Sequence, residues 1–225
     1  MSEHAAGAAD ARPPLLGIVD YGMGNRRSVE KALEHVGASA RISGDPEELR
    51  RADGLVLPGV GAFPRAMMNL RELGLDELLR ERAQAGTPIL GICLGMQLAF
   101  EHSSELGGAD GLGILRGEVT RLEAGELKLP HIGWNEVVFQ RPSSALADGL
   151  GAQAAFYHVH SYAARPAAER DVLGYAEYSE RFASAVEHEN FYGVQFHPEK
   201  SSAAGLRLLA NFARICVGAG APLPR

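Results

Sequence analysis

Gly91-Ile92-Cys93-Leu94-Gly95 follows an apolar run, Pro88 to Ile92, and opens a helical one, Leu94 to Glu101. The chain therefore has to turn sharply from a strand into a helix at Cys93. Glycines on either side permit that turn, lift one side chain above a sheet and leave room for a substrate beside it. This is a nucleophile elbow with cysteine in the nucleophile's place. The N-terminal amides of the helix that begins at Leu94 point at the sulfur and favour the thiolate, the form that attacks carbonyl carbon. Far downstream, Gly193 to Glu199 carries His197 and Glu199 two residues apart. On an extended strand end both side chains project from one face. Glu199 then holds the imidazole in one tautomer while its other nitrogen faces Cys93, which is how a weak nucleophile is activated.

The first half of the chain alternates in period. Leu15 to Asp20 reads as a strand and Asn25 to Val36 as a helix with Val29, Leu33 and Val36 on one face, ended by Gly37. Ser39 to Ser43 is a second strand. Asp45-Pro46-Glu47-Glu48 then combines an N-cap, a proline at the first helical position and an acidic third position, starting a helix to about Ala52. Gly54 to Leu57 is a buried strand, Pro58 to Phe63 a glycine-rich loop, and Pro64 to Ala85 a helical region interrupted at Gly74. The spacing predicts an α/β fold, a three-layer sandwich whose mostly parallel central sheet has helices on both faces and functional groups at the C-terminal strand ends.

After Gly107 the pattern turns β-rich and more antiparallel, with strands expected at Leu115 to Leu122, Glu136 to Phe139, Ala155 to His160, Val172 to Tyr178, Ala183 to Glu187 and Phe191 to Phe196. A final helix, Ala203 to Val217, places Leu206, Leu209, Phe212 and Cys216 on one stripe. Residues 1–13 read as a disordered tail and 14–225 as one domain. With 225 residues, 46% hydrophobic and 22% charged, the composition is that of a soluble protein. A net charge of -6 without a basic run argues against nucleic acid as a partner. Two cysteines make no disulfide framework, and neither a signal peptide nor a bilayer span is evident, so the expectation is a cytoplasmic protein.

Other motifs have simpler readings. The helical spacing of Cys216 makes it a core residue. His197 with Glu199, or His158 with His160, has the spacing of a metal pair, but no compact cluster supplies a third and fourth ligand, so no metal and no cofactor are expected. Asp20 to Arg27 occupies the place of a dinucleotide-binding loop, yet Arg27 stands at the third glycine position and Asp45 is explained as a cap. It reads as surface recognition. Pro58-Gly59-Val60-Gly61 suits an oxyanion hole, in which the Val60 N–H supplements that of Leu94 beside Gly59. Lys128 to Asn135 sets the chain's one tryptophan, Trp134, among polar and small residues.

Together these motifs resemble the class I glutamine amidotransferases, whose Cys-His-Glu triad matches Cys93, His197 and Glu199 in type and order. The stretches Ile18 to Asn25, Leu57 to Phe63, Gly91 to Gln97, Pro130 to Asn135, His158 to Tyr162 and Gly193 to Ser201 resemble, more narrowly, the glutaminase subunits of imidazole glycerol phosphate synthase. The resemblance implies a flavodoxin-like sheet, glutamine as substrate, and ammonia passed to a (β/α)8-barrel cyclase subunit in a heterodimer serving histidine biosynthesis. It implies that Gly61, Gln97, Ser161 and Tyr162 hold glutamine. It further implies that Asn25, Pro130, His131, Trp134 and Asn135 face the partner or the ammonia path.

Overall fold

The structure, a computed structural model, describes residues 12–218. The expected tail thus falls, for residues 1–11, outside the described residues. In chain order the elements are β1 (Leu15–Val19), α1 (Arg26–His35), β2 (Ser39–Ser43), α2 (Pro46–Arg50), β3 (Gly54–Gly59), α3 (Phe63–Glu72), α4 (Leu75–Gln84), β4 (Ile89–Cys93) and α5 (Leu94–Leu98). There follow β5 (His102–Ser103), β6 (Ala109–Asp110), β7 (Gly117–Arg121), β8 (His131–Phe139), β9 (Gln153–His160), β10 (Tyr162–Pro166), β11 (Val172–Tyr178), β12 (Glu180–His188), β13 (Phe191–Val194) and α6 (Ser202–Cys216).

These strands form one sheet in the order β2-β1-β3-β4-β13-β12-β10-β7-β5-β6, with β11, β8 and β9 branching from β12. From β2 to β13 every neighbouring pair is parallel. At β13 against β12 the sheet turns antiparallel. Alternation along the parallel strands explains the layers. Leu16, Ile18, Val56, Leu90 and Ile92 pack on one face with Val29 and Leu33 of α1 and Leu208 and Phe212 of α6. Val19, Leu55, Leu57 and Ile89 point to the other, against Phe63, Met67, Leu70, Leu75, Leu78 and Leu79 of α3 and α4. Each fully buried aliphatic side chain contributes roughly 1.5–3 kcal/mol, so the two faces together fix the strand register that brings functional groups to one edge.

Caps follow the sequence where it was explicit: Asp45 accepts from the Glu47 N–H at 2.9 Å, and Gly74 adopts φ +65° between α3 and α4. Elsewhere the structure corrects the expectation. β3 runs on to Gly59, because Pro58 and Gly59 pair with Ile92 and Cys93. α5 stops at Leu98 instead of reaching Glu101, since the carbonyls of Leu98, Ala99 and Phe100 accept from Leu112, Ile114 and Gly113. β8 begins at His131 rather than Glu136, paired along its length with β9. β10 was not anticipated; Pro166 masked it, and it is accommodated at the strand's last residue, opposite Gly117. On α6 the buried stripe is Leu208, Leu209, Phe212 and Ala213, while Leu206 and Cys216 are only half-buried.

Candidate active site

β4 ends in the elbow. Cys93 has φ 54° and ψ −109°, a conformation held against steric cost by its surroundings. The flanking glycines are required by close approach: a Cβ on Gly91 would lie 2.7 Å from the Gly95 carbonyl oxygen, and one on Gly95 only 1.7 Å from that of Leu57. α5 is thereby pressed onto β3 and β4, and the Cys93 sulfur emerges nearly buried above the sheet. Its neighbours include the Val159 carbonyl oxygen at 3.8 Å and the Gln195 Nε2 at 3.7 Å.

β13 lies parallel to β4 with Val194 opposite Ile92. The chain then leaves the strand, so His197 and Glu199 do not share a strand face as expected; a 3₁₀ turn at Pro198–Lys200 folds the carboxylate back onto the ring. Glu199 Oε1 accepts from His197 Nδ1 at 2.9 Å, with both side chains almost wholly buried. Backbone bonds to β9 hold the histidine, whose N–H donates to the Tyr157 carbonyl at 2.9 Å. Burial alone would lower the His197 pKa. Hydrogen bonding to the Cys93 side chain and to Glu199 outweighs it and raises the value to about 10. With Nδ1 committed to Glu199, Nε2 is left for sulfur.

The cavity beside Cys93, about 400 Å³, is lined by Val60, Gly61, Leu94, Gln97, Ser161, Tyr162 and His197, among others. Gly59 is opposite Cys93 in the ladder, which brings the Pro58–Gly61 loop to the Cys93 side chain. Buried Gln97 donates through Nε2 to the Tyr162 carbonyl and to Gln195 Oε1, each at 2.9 Å. Three lining or neighbouring residues have no role assigned from the sequence. Glu105 lines the cavity and accepts from the Phe63 N–H at 2.8 Å. Lys200 stands at the mouth, and Gln195 sits against sulfur. Only the position of Gln195, two residues before His197, offered a signal; Glu105 reaches the site through a fold contact that no local pattern encodes.

The loop read as surface recognition faces inward along part of its length. Tyr21 is 1% exposed and donates its hydroxyl to the Pro58 carbonyl at 2.8 Å; burial, with the Cys93 charge, pushes its pKa far up. Asn25 donates to Glu199 Oε1 at 3.3 Å, and Asp20 binds the Gly22 N–H and the Arg26 guanidinium. His131, expected at the partner face, is instead buried, stacked on Tyr178 and bonded to His160 at 3.1 Å. Alternation along β8 explains this: His131 points in, while Ile132 and Trp134 are 59% and 56% exposed. Pro130 is exposed, and Asn135, half-buried, donates to the Glu177 carbonyl. Among the described residues no group of three His, Cys, Asp or Glu side chains forms a metal site, and no helix is long and apolar enough to cross a membrane.

Comparison with known proteins places this geometry. Residues 17–216 match the family model for glutamine amidotransferase class-I. The chain is 50% identical over 205 residues to imidazole glycerol phosphate synthase subunit HisH of Moorella thermoacetica, covering 91% of this chain and 97% of that one. It is 52% identical over 198 residues to the HisH subunit of Aquifex aeolicus, covering 88% and 95%. Solved structures share the fold: PurLQS from Thermotoga maritima at TM-score 0.72 and 18% identity, covering 90% of this chain and 99% of that one. A structure described as a glutamine amidotransferase gives TM-score 0.71 at 20% identity, covering 90% and 98%. A nucleophile elbow, a buried His–Glu pair facing its sulfur and these matches across nearly the whole chain lead to one family: the chain belongs to the class-I glutamine amidotransferases and, among them, to the HisH subunits of imidazole glycerol phosphate synthase.

Proposed function

We propose that the chain hydrolyses L-glutamine to L-glutamate and ammonia through Cys93, His197 and Glu199, and delivers the ammonia to a (β/α)8-barrel cyclase subunit that uses it in histidine biosynthesis in the cytoplasm. The observation that carries the chemistry is the His197 ring, bonded at Nδ1 to a buried carboxylate and facing the elbow sulfur. Cys93 Sγ attacks the side-chain amide carbon, and N–H groups of Leu94 and Val60, beside Gly59, hold the oxyanion. The C–N bond then breaks as His197 gives its proton to the leaving nitrogen. His197 next takes a proton from water, which cleaves the γ-glutamyl thioester. Gly61, Gln97, Ser161 and Tyr162 hold the amino-acid end, with the Glu105 carboxylate available to the substrate ammonium.

Free ammonia would be protonated and diluted, so this chemistry calls for a sealed interface. Exposed Pro130, Ile132 and Trp134 on and before β8, with Asn135 behind them, suit a docking face near the cavity, which Pro130 itself lines. The test is glutamate release by the purified chain, alone and with the barrel subunit, with and without the nucleotide that subunit acts on. Weak release alone and a sharp rise with partner and nucleotide are expected. Fast release indifferent to both would leave an independent amidohydrolase.

Glu199→Gln is expected to lower kcat about 10²-fold. The pH profile should change as well. The imidazolium is retained to about pH 10 against an ordinary 6.5, so the stability it contributes is complete below 6.5 and is lost as pH rises through about 10. Removing the carboxylate's charge lets that proton leave earlier. The alkaline limbs of both activity and stability should move to lower pH, and limbs that stay in place would remove Glu199 from its assigned role.

A further inference from the structure

Gln195 takes no part in the chemistry just described, yet it is fully buried and its Nε2 lies 3.7 Å from the Cys93 sulfur. An amide can face either way, and its orientation here is dictated from a distance. A carbonyl oxygen only accepts, so the 2.9 Å contact between His160 Nδ1 and the Tyr162 carbonyl puts the ring proton on Nδ1. His160 Nε2 is then an acceptor and takes the Nδ1 proton of His131 at 3.1 Å. His158 is fixed in the same sense, donating from Nδ1 to the Phe156 carbonyl at 3.1 Å and accepting from Ser184 at 2.8 Å. Burial, opposed by the Tyr162 carbonyl and aided by the neighbouring rings, lowers the His160 pKa to about 3, so the ring stays neutral at working pH.

The Tyr162 carbonyl, so anchored, also accepts from Gln97 Nε2. Flipping the Gln97 amide would set oxygen against oxygen. Gln97 Nε2 therefore also faces Gln195, which must answer with Oε1, at 2.9 Å. That leaves Gln195 only one group to present to Cys93, its N–H. We infer that Gln195 is a further catalytic residue of this site: its amide N–H donates to the Cys93 sulfur and favours the thiolate, in an orientation imposed by the Tyr162 carbonyl through Gln97. The inference rests on Cys93 being the nucleophile. A donor on an anionic sulfur is charge-assisted, and its loss costs more than that of a neutral hydrogen bond.

The test uses the full chain and iodoacetamide. Alkylation of Cys93 is followed against pH by mass spectrometry of its peptide, so that Cys216 is scored separately. Gln195→Met, similar in shape without the amide, should move the thiolate profile up by about one pH unit, a tenfold loss of thiolate below the pKa. In the assembled synthase kcat should fall about tenfold with the KM for glutamine little changed. Gln195→Glu should move the profile further, since a carboxylate beside sulfur opposes the second negative charge. A Met variant alkylated on the wild-type profile overturns the inference, as does a loss of kcat, KM and melting temperature together without a shifted profile. If the Met variant does not fold, the orientation decides. Gln97→Met removes the N–H that holds Gln195 Oε1, so the amide is no longer turned with its N–H toward sulfur and the profile should move up; a wild-type profile in that variant would overturn the inference. Glutamate release surviving in Cys93→Ala strikes the underlying functional reading instead.

Discussion

Cys93→Ala is expected to abolish release of glutamate from glutamine, lowering kcat by about 10⁵-fold or more, because neither the thioester nor any equivalent can form. The chain should remain folded. Only one side-chain atom is removed, and an Ala at this position meets the same backbone demand, φ 54°, that cysteine already meets. The lost burial amounts to about 1 kcal/mol. Elution volume and circular dichroism at neutral pH should therefore match the native chain, with melting lowered by the lost Cys93–His197 contact, while the glutaminase assay stays at background. Turnover retained in a folded Cys93→Ala chain would end the assignment, whatever the matches to relatives.

Gly95→Ala is expected to have the largest effect on stability, destabilising by about 3 kcal/mol or more. The added Cβ would lie 1.7 Å from the carbonyl oxygen of Leu57 and 2.7 Å from its carbon. These are backbone atoms of β3, a strand hydrogen-bonded on both sides by β1 and β4, so they have nowhere to move. Either α5 lifts from the sheet, taking Cys93 with it, or the sheet distorts. Gly86→Ala is the comparison: no atom lies within 4 Å, and only its φ of +80° opposes the substitution, at about 1 kcal/mol. Denaturant unfolding of the two variants should separate them clearly. A Gly95→Ala chain within 1 kcal/mol of the native one would show that the elbow tolerates a looser seat than its geometry implies.

The parallel half of the sheet was legible because each strand there is an apolar run bounded by a helix with its own cap or glycine stop. The β-rich half was harder. The two-residue strands β5 and β6 exist through their pairing with each other and that of β5 with β7, and carry too few residues for a period of their own, while β10 is masked by Pro166 at its end. At the site, the meeting of Cys93 with His197 could be expected because each sits at a local backbone feature, glycines around the elbow and a turn after β13. His131 was misplaced for a different reason. A motif on a strand does not present one surface: alternate residues face opposite sides, and the His131 imidazole turns inward to His160 as Ile132 and Trp134 turn out. Glu105 is invisible to local patterns and Gln195 is marked only by its place two residues before His197, because each matters through a partner far away in sequence.

The place of β13 between β4 and β12 also bears on how the chain is made. β4 is complete by residue 93, but its second neighbour begins at Phe191. During synthesis from the N-terminus, the edge formed by Ile89, Leu90 and Ile92 is therefore open while roughly a hundred residues are still to come. Such an apolar, unpaired edge is a template for pairing with another chain. His197 and Glu199 arrive on the same late segment that closes it. On the roles proposed for these residues, the nascent protein would carry Cys93 without its base until the strand that ends its exposure to aggregation is in place, and one insertion event would both close that edge and assemble the site.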